Sequence, residues 1–292
     1  YNKAFKQLNK VKSLQNKHSQ FNTEFLRTLV FLNKFGEAFS FSEEVWNEEE
    51  LFFEADLLLG LKYFMERDHI SAEKHFKRLN EISYYNPFFK DFIGNVLLAW
   101  NEASINNEEE SFKYLAKIPE PYERIIKIQS SFIKCYFNDD KTQSAFHQLL
   151  KDKEYNFSRY NFFLINYLLY KNKSEEAEKL IKYVRDEYSS NLLLKETEFF
   201  LLNKKTNKIK SFFNCKKNED SLAEFFYILA NLYSSEKDYK LSNFYLKISF
   251  FLNKKFLPNK ALLAENYYFQ KKYNLSKDIY SSIKSVGPSY SW

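Results

Sequence analysis

Four glycines in 292 residues are too few for an all-β sandwich or barrel, which needs a turn residue roughly every 8–12 positions. They are also too few for the glycine-rich loops with which nucleotide enzymes hold phosphate. The five prolines, Pro87, Pro119, Pro121, Pro258 and Pro288, fall between apolar segments, where proline stops a helix without kinking one. The two cysteines, Cys135 and Cys215, cannot build a disulfide framework. Each has apolar neighbours (Phe132 and Tyr136; Phe212 and Phe213), so each is expected to be a free, buried thiol acting as a small hydrophobe. No apolar run reaches the roughly 18 residues of a membrane span; the stretch FFLINYLLY at 162–170 is broken by Asn166. Charge of one sign is also scarce. Lys and Arg number 44 against 38 Asp and Glu, a net of +6, and the two signs interleave as on a solvated surface.

What is abundant is aromatic. Phe, Tyr and Trp make up 20% of the chain, which excludes a disordered protein. The excess of Phe, Tyr, Lys and Asn reads as the codon bias of an AT-rich genome. Apolar residues recur at i, i+3, i+4 and i+7: Phe21, Phe25, Leu29 and Leu32; Leu57, Leu61, Phe64 and Met65; Leu222, Phe225, Phe226, Leu229, Leu232 and Tyr233. That is the amphipathic helix period, and no strand is expected. Short polar breaks separate the segments: Asn33-Lys34, Glu66-Arg67-Asp68, Asn106-Asn107, Asn138-Asp139-Asp140, Lys171-Asn172-Lys173 and Ser234-Ser235-Glu236. Their Asn, Asp and Ser side chains are suited to cap helices.

One small residue recurs just inside the helix after a break. It is Ala4, Ala38, Ala72, Ser111, Ala145, Ala177, Ser242 and Ser276, at spacings of 34, 34, 39, 34, 32, 65 and 34. The spacing of 65 holds two short units, with Ser211 in the missing place. Twelve residues before the anchors stand Leu26, Gly60, Ala99, Ile133, Ile165, Ala230 and Ala264, where a small residue would let two helices approach. Aromatic or aliphatic residues fill most positions nine before and four after, Glu102 and Ser42 excepted. Pro288 lies twelve after the last anchor.

A helix–turn–helix unit of 34 residues is the tetratricopeptide spacing, and the chain resembles that family over essentially its whole length. The stretch Phe226–Pro288 is the most regular. Residues 192–220 depart most, with Phe199 at the small position and a short second helix. The strings LLAW at 97–100 and LLAE at 262–265 look like long bacterial, particularly alphaproteobacterial, members. The resemblance implies an all-α fold, a right-handed α-α superhelix of about eight repeats forming a single domain over 1–292. Residues 1–16 match only a second helix, Trp292 stands near the start of a new one, and the chain does not begin with Met. These features read as a trimmed piece of a longer array.

Catalytic chemistry is not expected. His18, His69, His75 and His147 form no metal-ligand spacing with one another or with cysteine and read as surface histidines. The runs Glu48-Glu49-Glu50 and Glu108-Glu109-Glu110 suit helix N-termini. The Asn-x-Ser strings at Asn156, Asn172 and Asn274 are attributable to chance. No cofactor and no metal is expected. The resemblance implies a protein or peptide partner bound on the concave face by Arg27, Phe64, Trp100, Lys127, Lys134, Arg159, Phe162, Asn166, Tyr227, Asn231 and Glu265. Within that set Lys127, Lys134 and Arg159 would suit an acidic peptide. The expected work is that of an interaction scaffold or adaptor, and the compartment the bacterial cytoplasm or periplasm. The alternatives are a non-catalytic regulatory or substrate-docking region of a larger enzyme and, less favoured, a nucleic-acid-binding helical repeat; the latter lacks a basic column with base-reading pairs.

Overall fold

The computed structural model describes residues 1–15, 17–82, 91–152, 156–185, 191–283 and 286–290. Pro87 and Trp292 lie outside the described residues. Seventeen α-helices and no strand occur among the described residues. They are α1 (Asn2–Lys10), α2 (Ser19–Phe31), α3 (Phe35–Val45), α4 (Phe53–Met65), α5 (His69–Glu81), α6 (Ile93–Ser104), α7 (Glu108–Ala116), α8 (Glu123–Phe137) and α9 (Thr142–Lys151). Then follow α10 (Tyr160–Tyr170), α11 (Ser174–Val184), α12 (Leu192–Leu202), α13 (Thr206–Phe212), α14 (Asn218–Ser235), α15 (Tyr239–Leu252), α16 (Leu257–Phe269) and α17 (Tyr273–Ile283). Each helix packs chiefly on its neighbours in sequence, as in an all-α repeat fold. Two compact units divide at residue 126.

The breaks read from sequence become one recurring turn. Asn33, Arg67, Asn106, Asn138, Asn172, Lys204, Lys237 and Lys271 take left-handed backbone, with φ between 55° and 67°. In each case the next N–H returns to a carbonyl five residues back, as in Lys34→Leu29 (2.9 Å), Asn107→Glu102 (3.0 Å), Lys205→Phe200 (2.7 Å) and Lys272→Tyr267 (2.8 Å). This bond satisfies a carbonyl the helix end leaves open. Glycine is the residue best suited to such a turn. Asn tolerates it, whereas Lys and Arg hold it at a cost of about 1 kcal/mol or more. The following helix is capped by side chain at Asp68, Asn107 and Asp238, which accept from Ser71, Glu110 and Leu241. At Lys34, Lys173 and Lys205 no side chain caps it.

Six of the expected anchors are buried five residues after this turn: Ala38, Ala72, Ser111, Ala177, Ser242 and Ser276. Ser111 and Ser242 donate to the carbonyls of Ala99 and Ala230, twelve residues earlier (2.7 Å each). Three anchors are corrected. Ser211 is exposed and Ile209, five past Lys204, is fully buried in its place. Ala145 is half-buried because α9 starts four residues after Asn138, where the other second helices start two after their turns, and Thr142 is buried instead. Ala4 is exposed, as are Met65 and Leu232, which periodicity placed on apolar faces. Pro258 lies in the first turn of α16, not between helices, where its missing N–H costs nothing.

Unit 1–126 holds α1–α7, with Leu26, Ala38, Leu58, Phe64, Phe76, Val96 and Trp100 in its core. Gly60 is the close approach of α4 to α5. A Cβ there would stand 2.4 Å from the fully buried ring of Phe76. Gly60→Ala is therefore expected to destabilise this unit by about 1–3 kcal/mol through overpacking. Urea unfolding followed by far-ultraviolet circular dichroism would measure it; an unchanged midpoint would show that the ring moves freely.

Unit 127–292 is knit across more than adjacent helices. Phe163 of α10 meets Phe132 of α8 (4.9 Å), Phe213 (4.7 Å) and Phe256 at the head of α16 (5.9 Å). Beside this cluster Cys135 and Cys215 are bonded to one another across 80 residues, which corrects the expectation of free thiols. Both are buried, as expected. Spacing alone could not pair them, because the helices α9 to α13 lie between. The Lys216 ammonium donates to the Tyr136 carbonyl, so the residues following both cysteines also touch.

Close by, the Asp220 carboxylate accepts the Asn214 N–H (2.8 Å). Burial pushes this carboxyl up to about 6. A folded-state value above the unfolded one means that the native chain holds the proton more firmly. The associated stability is complete below about pH 4 and is lost as pH rises through about 6. Thermal melts of the wild type should fall between pH 5 and 7.5, and Asp220→Asn should flatten part of that decline. Parallel curves for the two proteins would refute this.

Candidate interaction site

Helix α10 is apolar on every side and buried from Tyr160 to Leu169, as befits a helix at the centre of its unit. The sequence reading placed Phe162 and Asn166 on an open groove. Phe162 is fully buried, and the Asn166 amide donates to the Ile209 carbonyl (3.1 Å). Both are core residues, because aromatic side chains from α8, α10 and α16 fill the space that a groove would need.

The polar residues of this unit gather around Arg159, which precedes α10. Its guanidinium makes a two-pronged pair with Glu224 of α14, at 2.8 and 2.5 Å. The Tyr160 hydroxyl donates to the same carboxylate (3.1 Å). The guanidinium lies 4.2 Å from the centre of the Tyr227 ring, a favourable face for a cation. Glu224 has no exposed surface. Burial pushes its carboxyl up to about 7, against the opposing charge of Arg159 and the bond from Tyr160. Burial is the largest influence on Arg159 and works against its charge, but the Glu224 carboxylate and its hydrogen bond, with Tyr160 and Tyr227, together outweigh it and keep the guanidinium charged.

A second carboxylate, Glu196 of α12, is also fully buried. Residues 288–290 form a single helical turn packed on α12. The Ser289 N–H donates to Glu196 Oε2 (3.0 Å), while Oε1 has no hydrogen-bond partner among the described residues. Tyr290 is buried, and its hydroxyl is pushed up by burial, with Tyr227 and Glu196 adding to the effect. Arg159, Glu224, Tyr227, Tyr290 and Glu196 thus belong to one cluster.

Of the predicted partner-binding residues the structure brings together Arg159, Tyr227 and Asn231. Asn231 is exposed, with its amide on the Tyr227 carbonyl (3.4 Å). Lys127 is exposed and Lys134 half-buried, both on α8. Arg159 does not join them as a basic surface, because Glu224 takes up its charge. Arg27 and Trp100 lie in unit 1–126. Arg27 pairs with the buried Glu54 (2.5 Å), and Trp100 is fully buried, as is Phe64. Trp100 and Phe64 are corrected from surface to core; helix α6, which carries Trp100, is buried from Ile93 to Ala103. Glu265 is exposed.

Sequence reasoning missed Glu224, Tyr160, Glu196, Gly287, Ser289 and Tyr290. One signal was present: Glu224 interrupts the apolar run LAEFFYILA at 222–230. It missed a second network too. In unit 1–126 the buried Asp56 Oδ1 accepts from Trp46 Nε1, His75 and Arg78 Nε, each at 2.9 Å. Arg78 also donates to the carbonyls of Asn47, Glu48 and Glu50 and so holds the turn before α4. His75 is therefore buried, not a surface histidine, whereas His18 and His147 are exposed and His69 is half-buried against Asn101. Among the described residues no group of His, Cys, Asp and Glu is placed to hold a metal ion, and no helix is long and apolar enough to cross a membrane. No family model matches the chain, and no curated protein matches it.

Proposed function

We infer that the protein is an interaction scaffold of the tetratricopeptide type, binding a protein or peptide partner. The observation that carries this reading is the recurring turn. Eight left-handed residues fall 32 to 39 residues apart, and each joins two antiparallel helices, the unit from which such arrays are stacked. On this reading the helix pairs α2–α3 through α16–α17 are eight repeats of a superhelical array. A stack of this kind presents extended surface and needs no further chemistry to bind a partner.

The Cys135–Cys215 bond supports an oxidising compartment, the periplasm of the two expected, because cytosolic thiols are kept reduced. The test is affinity capture with the purified chain from its source cells. A captured protein would then be purified and titrated against the chain by calorimetry. Saturable one-to-one binding supports the scaffold reading, and the absence of any saturable partner counts against it.

A further inference from the structure

Glu196 is covered without being satisfied. Its side chain has no exposed surface, one oxygen accepts a single backbone N–H, and Oε1 accepts nothing from the described residues. Among the described residues no ion pair reaches it, and Arg159, the cation of the cluster, is engaged with Glu224. A buried carboxylate lacking both a cation and a full set of donors is costly. The covering segment is fitted to the place in shape. Gly287 lies over the unsatisfied oxygen so closely that a Cβ would stand 1.5 Å from it. Ser289 supplies its N–H, and Tyr290 is buried in the same cluster as Tyr227. The segment therefore matches the site in backbone and ring but brings no positive charge.

Resting on the interaction reading, we propose that this is where unit 127–292 takes an extended partner segment bearing a lysine or arginine, and that residues 286–290 of the chain itself occupy the site when no partner is bound. The partner's ammonium or guanidinium meets Glu196 Oε1 from the residue before a glycine that keeps the place of Gly287. A following backbone N–H takes Oε2, and an aromatic side chain fills the place of Tyr290. The chemistry is the reverse of the acidic peptide expected from Lys127, Lys134 and Arg159, since the group left without a partner is a carboxyl oxygen.

The test uses the full chain and a fluorescein-labelled peptide, Arg-Gly-Pro-Ser-Tyr-Ser amide, which keeps a glycine in the place of Gly287, with a control carrying norleucine for arginine. Gly287→Ala crowds its methyl group against the buried Glu196 carboxyl and is expected to loosen the chain's own segment. It should bind the arginine peptide at least tenfold more tightly than the wild type in fluorescence anisotropy. The norleucine peptide should bind at least tenfold more weakly than the arginine peptide, and adding Glu196→Gln should abolish that preference. Tyr290→Ala displaces the segment by a different route and repeats the measurement should Gly287→Ala fail to keep its helical circular dichroism. Equal binding of the two peptides, indifference to Glu196→Gln, or dimers formed by exchange of residues 286–290 without arginine preference would overturn the proposal. Failure here is separable from failure of the scaffold reading: a captured partner whose titration is unaffected by Glu196→Gln removes this site and leaves the scaffold.

Discussion

Replacing Cys135 and Cys215 together by alanine is expected to lower the stability of unit 127–292 by about 4 kcal/mol. The bond closes 80 residues of chain, and the loop-entropy estimate for that length is about 4.5 kcal/mol. The side chains themselves are small, so their loss adds little to the constraint removed. A change of this size should lower the melting temperature by about 10 °C. Differential scanning calorimetry with and without dithiothreitol checks it. Reductant should lower the wild-type transition to that of the double variant and leave the variant unmoved. A wild-type transition insensitive to complete reduction, verified by mass spectrometry, would show that the bond adds nothing to the aromatic packing of Phe132, Phe163 and Phe213 around it.

Removal of Arg159 should have an effect of similar size for a different reason. Arg159→Met leaves the fully buried Glu224 carboxylate facing Tyr160 and no cation, and stranding one member of a buried pair costs about 3–5 kcal/mol. The pH dependence has a definite sign. Glu224 already has its carboxyl pushed up to about 7 by burial. Its stability contribution is complete below the unfolded value near 4.5 and is lost as pH rises through about 7. Without Arg159 the carboxylate form is harder still to bury. Arg159→Met should thus lie closest to the wild type near pH 5 and fall further behind toward pH 8. Arg159→Met combined with Glu224→Leu should recover most of the loss, since an apolar pair of similar volume needs no counter-charge. Chemical denaturation of the wild type, Arg159→Met, Glu224→Leu and the double variant at pH 5, 6.5 and 8 gives the complete cycle. A double variant as unstable as the single one would show that packing of the guanidinium on Tyr227, not charge, is what the site requires.

The helical class and the rhythm of the chain were legible from sequence because both are local. Apolar spacing decides which face a helix buries. A polar break rich in Asn and Asp ends one helix and begins the next, so the turns at Asn33, Arg67, Asn106, Asn138 and Asn172 could be placed without coordinates. The turn at Lys204 was harder to see, because lysine announces neither a cap nor a left-handed backbone, and the small-residue anchor slid from Ile209 to Ser211. The candidate site was legible only in part. Arg159 and Tyr227 came from their register on first helices, but register cannot say whether a side chain faces solvent or another helix two units on.

What the sequence by itself determined is thus the alphabet of the fold: helices of 7 to 18 residues, the turns between them, and the small positions where they cross. Those are interactions within about a dozen residues. What tertiary structure alone decided are the meetings across 65, 80 and 93 residues: Arg159 with Glu224, Cys135 with Cys215, and Glu196 with Ser289. Each depends on how helices far apart in the chain pack together, which no local spacing encodes. That packing turned a basic face into a paired one, two free thiols into a bond, and a buried glutamate into the group that the chain's own last described residues cover.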